Sequence, residues 1–253
     1  MSRFAPLQDH APRVRQRTAT GPAPWLALEL AAGFAGLLAA GIMLWHWLDA
    51  APALPLVAMA TYLIMAGLVM GRVPNHWQRL GWANRVTLAR GGLVALLAGA
   101  VADPVLLAAQ GGLFAGLALV ALLLDGLDGW VARHSGTTSR FGARFDMEMD
   151  ACFILVLCLA LLALGKVGPW ILAIGTLRYA FMLAGRQLRW LAAPLPESRR
   201  RKIVCVWQVA ALLLGLLPAI GATPAAWLAA TALAGLVWSF ATDIHWLYRH
   251  ARP

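Results

Sequence analysis

Four aspartates stand at helical spacing in one short window of the chain. Asp125 and Asp128 are three residues apart, and Asp146 and Asp150 are four residues apart, so each pair would share one face of a helix. Long apolar runs flank the window, and carboxylates at the edge of a membrane are costly unless something is bound to them. Ligand sets made only of oxygen suit Mg²⁺, Mn²⁺ or Ca²⁺ rather than zinc. The spacing therefore predicts that the window binds divalent cations.

Glycine and arginine residues in the same window suit a ligand that carries phosphate. Glycine lets a ligand or another helix approach the backbone closely, and arginine offers fixed positive charge to phosphate oxygens. The window contains four glycines and three arginines: Gly126, Gly129, Gly136, Gly142, Arg133, Arg140 and Arg144. It thus combines candidate metal ligands with candidate phosphate ligands.

The spacing of these residues is that of a known family. The chain satisfies the pattern D-x-x-D-G-x-x-A-R, eight residues, G-x-x-x-D-x-x-x-D at every position, with Asp125, Asp128, Gly129, Ala132, Arg133, Gly142, Asp146 and Asp150. It therefore resembles the CDP-alcohol phosphatidyltransferases, integral membrane enzymes of phospholipid head-group transfer. Asn84 and Thr87 look like the family's Asn-x-x-Thr element, and the resemblance extends over roughly residues 73 to 248.

The resemblance implies a role for each matched residue. Asp125, Asp128 and Asp146 would bind metal, and Asp150 would be the general base and would also touch metal. The implied cofactor is Mg²⁺ or Mn²⁺, as two ions. The residues implied in binding the CDP substrate are Asn84, Thr87, Gly129, Arg133 and Ser139. The implied reaction is attack of an alcohol on the phosphorus of a CDP-linked lipid, with release of CMP.

Two basic residues are candidates for binding the acceptor alcohol. Arg178 lies in the middle of an apolar run, and the resemblance places an arginine there beside the acceptor pocket. A structural ion pair with Asp243 or another acid is the alternative, because a buried arginine needs an anionic partner. Lys202 matches the family's phosphate-handling lysine, but Arg201 stands where a Gly-Lys-x-Lys-Thr pattern has its glycine. Positive charge at the membrane surface is an equal explanation for residues 199–202, and the acceptor stays open.

The composition is that of a membrane protein. Of the 253 residues, 61% are hydrophobic and 13% are charged, which is too few charges for a soluble domain of this size. The three cysteines lie in apolar runs and are expected to be small buried residues. Several runs approach the ~20 apolar residues that cross a bilayer. We predict an all-α, polytopic membrane helix bundle with eight spans, at about 25–47, 54–71, 86–102, 105–124, 147–165, 168–188, 203–218 and 225–246.

The distribution of charge predicts how these spans are oriented. A net charge of +10 could suggest a nucleic-acid partner, but the basic residues alternate along the chain. They precede the first predicted span and follow the second, fourth, sixth and eighth, whereas the opposite loops hold essentially only Lys166. This pattern obeys the positive-inside rule. It predicts a multi-pass protein of the inner membrane, with both termini and the aspartate window in the cytoplasm and no nucleic-acid partner.

The chain divides into three predicted regions. Residues 1–24 form a cytoplasmic tail, residues 25–72 form a two-span extension, and residues 73–253 form the CDP-alcohol phosphatidyltransferase core. Residues 74–84 are amphipathic and rich in tryptophan, which predicts an interfacial helix on the cytoplasmic surface. The resemblance also implies a homodimer, and a lipid bilayer, a CDP-linked lipid and an alcohol as partners. Two other functions stay open, a divalent cation transporter and a non-catalytic lipid-binding membrane protein.

Overall fold

The computed structural model describes residues 24–71, 81–134, 140–193, 195–196 and 198–250, and this part of the chain is helical without any β-strand. The predicted all-α class is therefore confirmed. The described residues contain nine α-helices: α1 (Pro24–Trp47), α2 (Ala53–Met70), α3 (Gly81–Val101), α4 (Pro104–Ala109), α5 (Gly111–His134), α6 (Arg140–Ala163), α7 (Leu172–Gln187), α8 (Arg199–Leu216) and α9 (Ala222–His250). Short 3-10 turns at Pro169–Ile171 and Arg189–Ala192 flank α7.

Seven of the eight predicted spans overlap one α-helix each, and 105–124 overlaps two, but not every helix is apolar enough to cross a membrane alone. By length and composition, three helical segments of the described chain qualify: Trp25–Trp47, Ala53–Met70 and Ala222–His250. Gly111–Leu127 is a shorter apolar segment. The structure therefore supports a multi-pass membrane protein, and the count of eight spans stays a prediction.

The helix ends differ from the predicted span ends around the aspartate window. The predicted span 105–124 is divided between α4 and α5, and the Asp103 side chain caps α4 by accepting a hydrogen bond from the Leu106 N–H at 3.1 Å. α5 then continues to His134, and α6 begins at Arg140 rather than near residue 147. Hydropathy follows the apolar part of a helix, so it misses the polar turns that continue beyond it. Those turns carry Asp125, Asp128 and Asp146.

The predicted interfacial helix over residues 74–84 lies mostly outside the described residues. Its last four residues, 81–84, form the first turn of α3. The separate interfacial helix therefore stays a prediction, and the described tryptophan of this segment, Trp82, is 70% exposed.

Helix α3 is the centre of the bundle, because it packs against α1, α2, α4, α5 and α6. A larger apolar core joins α3 to α5, α6, α8 and α9, and a smaller one joins α1 and α2 to α3 and α6. α2 and α3 approach each other closely at Gly99, where an added Cβ would lie 2.4 Å from the Leu54 carbonyl oxygen. The glycine is needed there because only a hydrogen fits between the two backbones.

Gly99→Ala should therefore separate α2 from α3 and lower the stability of the protein. Overpacking a tight contact typically costs ~1–3 kcal/mol. The measurement is the thermal unfolding temperature in detergent. Gly67→Ala in α2 is the matched control, because a Cβ at Gly67 would meet no atom within 4 Å. An unfolding temperature equal to that of the unmodified protein for Gly99→Ala would contradict this contact.

Polar contacts fix the turns of the bundle at the end away from the aspartate window. The Ala51 N–H, in the turn between α1 and α2, donates to Asp103 Oδ2 at 2.7 Å. Lys166 Nζ donates to the carbonyls of Gly215 and Leu217 at 3.0 and 2.8 Å, which are carbonyls at the C-terminal end of α8. Partial burial lowers the pKa of Lys166. Lys166, the lone basic residue predicted for these loops, thus satisfies backbone carbonyls that the end of a helix leaves open.

Candidate active site

Three of the four predicted aspartates come together between two helices. α5 supplies Asp125, and α6 supplies Asp146 and Asp150 one helical turn apart. One carboxylate oxygen from each residue lies within 4.8 Å of the other two. The three side chains are partly exposed, at 35%, 39% and 39%. Oxygen ligands from two rigid helices, open on one side, fit a hard divalent cation that keeps some of its water.

A buried arginine that the sequence analysis did not place in the site lies against these carboxylates. Arg90 of α3 is 1% exposed, and its Nη1 donates to Asp125 Oδ1. Its Nη2 donates to Asp146 Oδ1 at 2.9 Å and to Asp150 Oδ1 at 3.1 Å. The arginine was visible in the sequence as a basic residue inside an apolar run. The sequence alone did not show toward which helices the Arg90 side chain points.

Arg90 accounts for the close approach of three carboxylates. Like charges at this separation repel one another, and a guanidinium carries several N–H donors in a fixed plane that can serve more than one acid. One positive charge against three carboxylates still leaves an excess of negative charge. The arrangement therefore holds the acids together and also favours a further cation at their exposed side.

Two predicted substrate-binding residues lie on the same helix as Arg90. Asn84 and Thr87 are 7% and 3% exposed and precede Arg90 on α3 at steps of three residues. Residues three apart in a helix are neighbours on its surface. One side of α3 thus presents a buried polar row, Asn84, Thr87 and Arg90, that leads to the carboxylates.

For four other predicted site residues, the structure describes the backbone only or does not describe the residue. The backbone at Asp128, Gly129 and Arg133 is helical and belongs to α5, but the positions of these side chains lie outside the description. Ser139 lies outside the described residues altogether. Their roles as a metal ligand and as ligands of the CDP substrate stay predictions.

Arg178 lies beside the carboxylates without pairing to the acid named as its alternative partner. Its Nη1 donates to the Met147 carbonyl at 2.8 Å, one residue after Asp146. Asp243, the suggested partner, instead accepts a hydrogen bond from Arg200 and forms an ion pair with Arg201, both of α8. Arg178 is thus held at the edge of the site by a backbone carbonyl.

Part of the basic run at the start of α8 forms ion pairs within the helix bundle. Arg200 and Arg201 tie α8 to α9 through Asp243, and the Arg200 guanidinium also lies 5.6 Å from the centre of the Trp238 ring. Lys202 is exposed. Cys205, one turn further along α8, is near both Asp150 and Arg178. That turn of α8 is therefore close to the aspartates.

The three cysteines are free thiols in the described part of the chain, with Cys158 buried and Cys152 partly buried. The expected burial is wrong for Cys205, which is exposed, because α8 turns this residue toward the open region rather than into the core.

Comparison with known proteins supports the motif. A model of the CDP-alcohol phosphatidyltransferase family matches residues 80–238, more than half of the chain. The match begins one residue before α3 and includes every aspartate of the window, whereas α1 and α2 precede it. Searches of curated proteins and of solved structures gave no match.

Proposed function

Because the chain belongs to the CDP-alcohol phosphatidyltransferase family, we propose that it moves a phosphatidyl or related phospho-alcohol group from a CDP-linked lipid donor to an alcohol acceptor and releases CMP. Family membership supports a membrane enzyme of phosphatidyl transfer in general. The observation that carries the finer proposal is the convergence of Asp125, Asp146 and Asp150 from two helices to within 4.8 Å.

The aspartates would serve first as metal ligands. Asp125, Asp128, Asp146 and Asp150 would hold Mg²⁺ or Mn²⁺, as two ions, with the described three supplying oxygen ligands from both helices. Bound there, such ions would offset the negative charge of the donor's pyrophosphate and of the departing CMP. Arg90, fixed behind the carboxylates, would keep them in place before and after the ions bind.

Asp150 would then serve as the general base. It would accept the proton of the acceptor hydroxyl while that oxygen forms a bond to the phosphorus on the lipid side of the pyrophosphate. The bond from this phosphorus to the bridging oxygen breaks, and CMP leaves with the electron pair. Asn84 and Thr87, with Gly129, Arg133 and Ser139, would hold the CDP group in line for this displacement.

The acceptor would bind beside Arg178 and Lys202. Arg178 contacts the backbone one residue after Asp146, and Cys205 of α8 is near both Arg178 and Asp150. An arginine beside the carboxylates suits an acceptor that itself carries phosphate, since arginine binds phosphate oxygens bidentately.

The same proposal includes an arrangement in the membrane. The protein would be a multi-pass protein of the inner membrane with eight spans, a cytoplasmic interfacial helix, and both termini and the aspartates in the cytoplasm. Residues 73–253 would be the catalytic core, residues 25–72 an added hairpin and residues 1–24 a tail. The homodimer implied by the family would be tested by chemical crosslinking in the membrane.

A donor and acceptor assay tests the reaction. Membranes containing the protein should release CMP from radiolabelled CDP-diacylglycerol when one alcohol of a panel is added, such as glycerol phosphate, inositol phosphate or serine. Release should stop in EDTA and return with Mg²⁺ or Mn²⁺, because the pyrophosphate charge is then again offset. Asp125→Asn should lose release, whereas Asp103→Asn, which alters a carboxylate outside the site, should keep it.

Two outcomes would reject the proposal. Full CMP release in EDTA would remove the metal-dependent mechanism. Uptake of divalent metal into vesicles, without CMP release from any CDP-linked substrate, would instead identify a cation transporter.

A further inference from the structure

The hairpin of α1 and α2 and the central helix α3 enclose an apolar groove that the proposed reaction does not use. Its volume is about 460 Å³. Gly33 and Gly36 of α1 form one wall, Leu88, Gly92 and Leu96 of α3 form the other, and Tyr62 of α2 also lines it. Tyr62 is held by a hydrogen bond from its hydroxyl to the Leu30 carbonyl at 2.9 Å. The walls are therefore built by fixed contacts of the fold.

The glycines leave this space open rather than closing it. An added Cβ at Gly36 or at Gly92 would meet no atom within 4 Å. Gly33 differs, because a Cβ there would collide with the Tyr62 hydroxyl. Helices that pack through small residues normally bring their backbones together at those residues. Here two of the glycines face empty volume, so the groove has room for a long, thin apolar ligand.

The length of the groove matches one leaflet of a bilayer. Its lining runs along α3 from Arg85 to Leu96 and along α1 from Glu29 to Ala40. At ~1.5 Å per residue, eleven helical steps span about 16 Å. Half of the ~30 Å hydrocarbon core of a bilayer is about 15 Å. A single acyl chain of one leaflet would therefore reach from the mouth of the groove to its end.

The mouth of the groove carries an arginine that a phospholipid head group would meet. Arg85 Nη2 pairs with Glu29 Oε1 at 2.5 Å, and the Arg85 guanidinium lies 4.9 Å from the centre of the Trp82 ring. The Arg85 side chain is 36% exposed. A guanidinium has five N–H donors, so one bond to a carboxylate leaves donors for a phosphate. Tryptophan beside arginine is typical of the level of lipid head groups.

We propose that this groove binds one acyl chain of an anionic phospholipid and that Arg85 binds the phosphate of the same lipid. The site lies on a different side of α3 from the row Asn84, Thr87 and Arg90, and it does not depend on the proposed reaction. Basic surfaces on the cytoplasmic side attract anionic lipids in general, and the groove adds a fixed position for one of them. The hairpin thereby acquires a function of its own.

Photolabelling tests the site in the whole protein. The full chain is reconstituted in liposomes that contain phosphatidylglycerol with a diazirine on one acyl chain, irradiated, digested and analysed by mass spectrometry. Label is expected on the groove walls in α1 and α3. In the double variant Gly36→Leu, Gly92→Leu it should fall at least about fivefold, because leucine side chains fill the open volume. Gly67→Leu, on α2 and also facing open space, should keep the label.

A second comparison separates the head group from the chain. Arg85→Gln should reduce labelling by the phosphatidylglycerol probe more than labelling by a phosphatidylcholine probe with the same acyl chains. Unchanged labelling in the double variant would overturn the proposal. The proposal would also be overturned if the unmodified protein were labelled on α9 but not on α1 or α3. The groove would then be open to a protein partner rather than to a lipid. CMP release, measured in parallel, reports separately on the proposed reaction.

Discussion

Asp150→Asn should slow turnover by about 100-fold or more without unfolding the protein. Asparagine keeps the size of the side chain and one oxygen that can still accept the hydrogen bond from Arg90, which lies 3.1 Å from the Asp150 carboxylate. It cannot accept a proton from the acceptor alcohol, and general-base catalysis typically contributes ~10²–10⁴-fold. The measurement is the rate of CMP release at saturating donor and acceptor, together with binding of the CDP-linked donor, which should be partly retained.

Glu148→Gln is the matched control for this experiment. Glu148 lies on the same helix between Asp146 and Asp150, and it contacts the Tyr179 hydroxyl at 3.5 Å rather than the carboxylate cluster. Its amide variant should turn over at nearly the original rate. If Asp150→Asn also keeps that rate, the base is another group, or metal alone activates the alcohol.

Arg90→Met should destabilise the metal-free protein and make its stability depend strongly on divalent metal. Removing one partner of a buried ion pair typically costs ~3–5 kcal/mol, and the partial exposure of the three aspartates lowers the expected loss toward ~1–3 kcal/mol. Since a bound metal can replace the lost positive charge, adding Mg²⁺ should raise the unfolding temperature of the variant more than that of the unmodified protein. Thermal unfolding in detergent, with EDTA or Mg²⁺, measures both effects.

Arg90→Lys keeps the charge but loses the planar set of donors that reaches three carboxylates. Its stability in EDTA should lie between that of Arg90→Met and that of the unmodified protein. An equal response of all three proteins to Mg²⁺ would show that Arg90 does not stabilise the carboxylate cluster.

The sequence was sufficient to predict the cluster itself, because spacing places Asp146 and Asp150 on one helix face and the family motif adds Asp125. The roles of these aspartates stay predictions. It was not sufficient for Arg90. A lone arginine in an apolar run shows that a partner must exist, but the choice of partner depends on how α3 packs against α5 and α6. The same reason applies to Arg178, whose described partner is a backbone carbonyl rather than Asp243, the acid named as the alternative to acceptor binding.

Helix lengths were predicted less well than helix positions. The turns that carry Asp125 and Asp146 continue past the apolar runs, so hydropathy ended α5 too early and began α6 too late. The groove beside α1 also could not be predicted from the sequence. Glycines at helical spacing usually mean close packing, and only the positions of the neighbouring atoms show that Gly36 and Gly92 face open space.

The central position of α3 also has a consequence for biogenesis. This helix carries Asn84, Arg85 and Arg90, and it is not among the segments apolar enough to span a membrane alone. An arginine at the centre of a lone inserting helix costs roughly 2.5–3.5 kcal/mol. The ribosome completes α1 and α2 before α3. Glu29 of α1 forms the ion pair with Arg85, and both apolar helices pack against α3. We therefore expect the hairpin to act as the first partner of α3 during insertion, so that order of synthesis and order of assembly coincide.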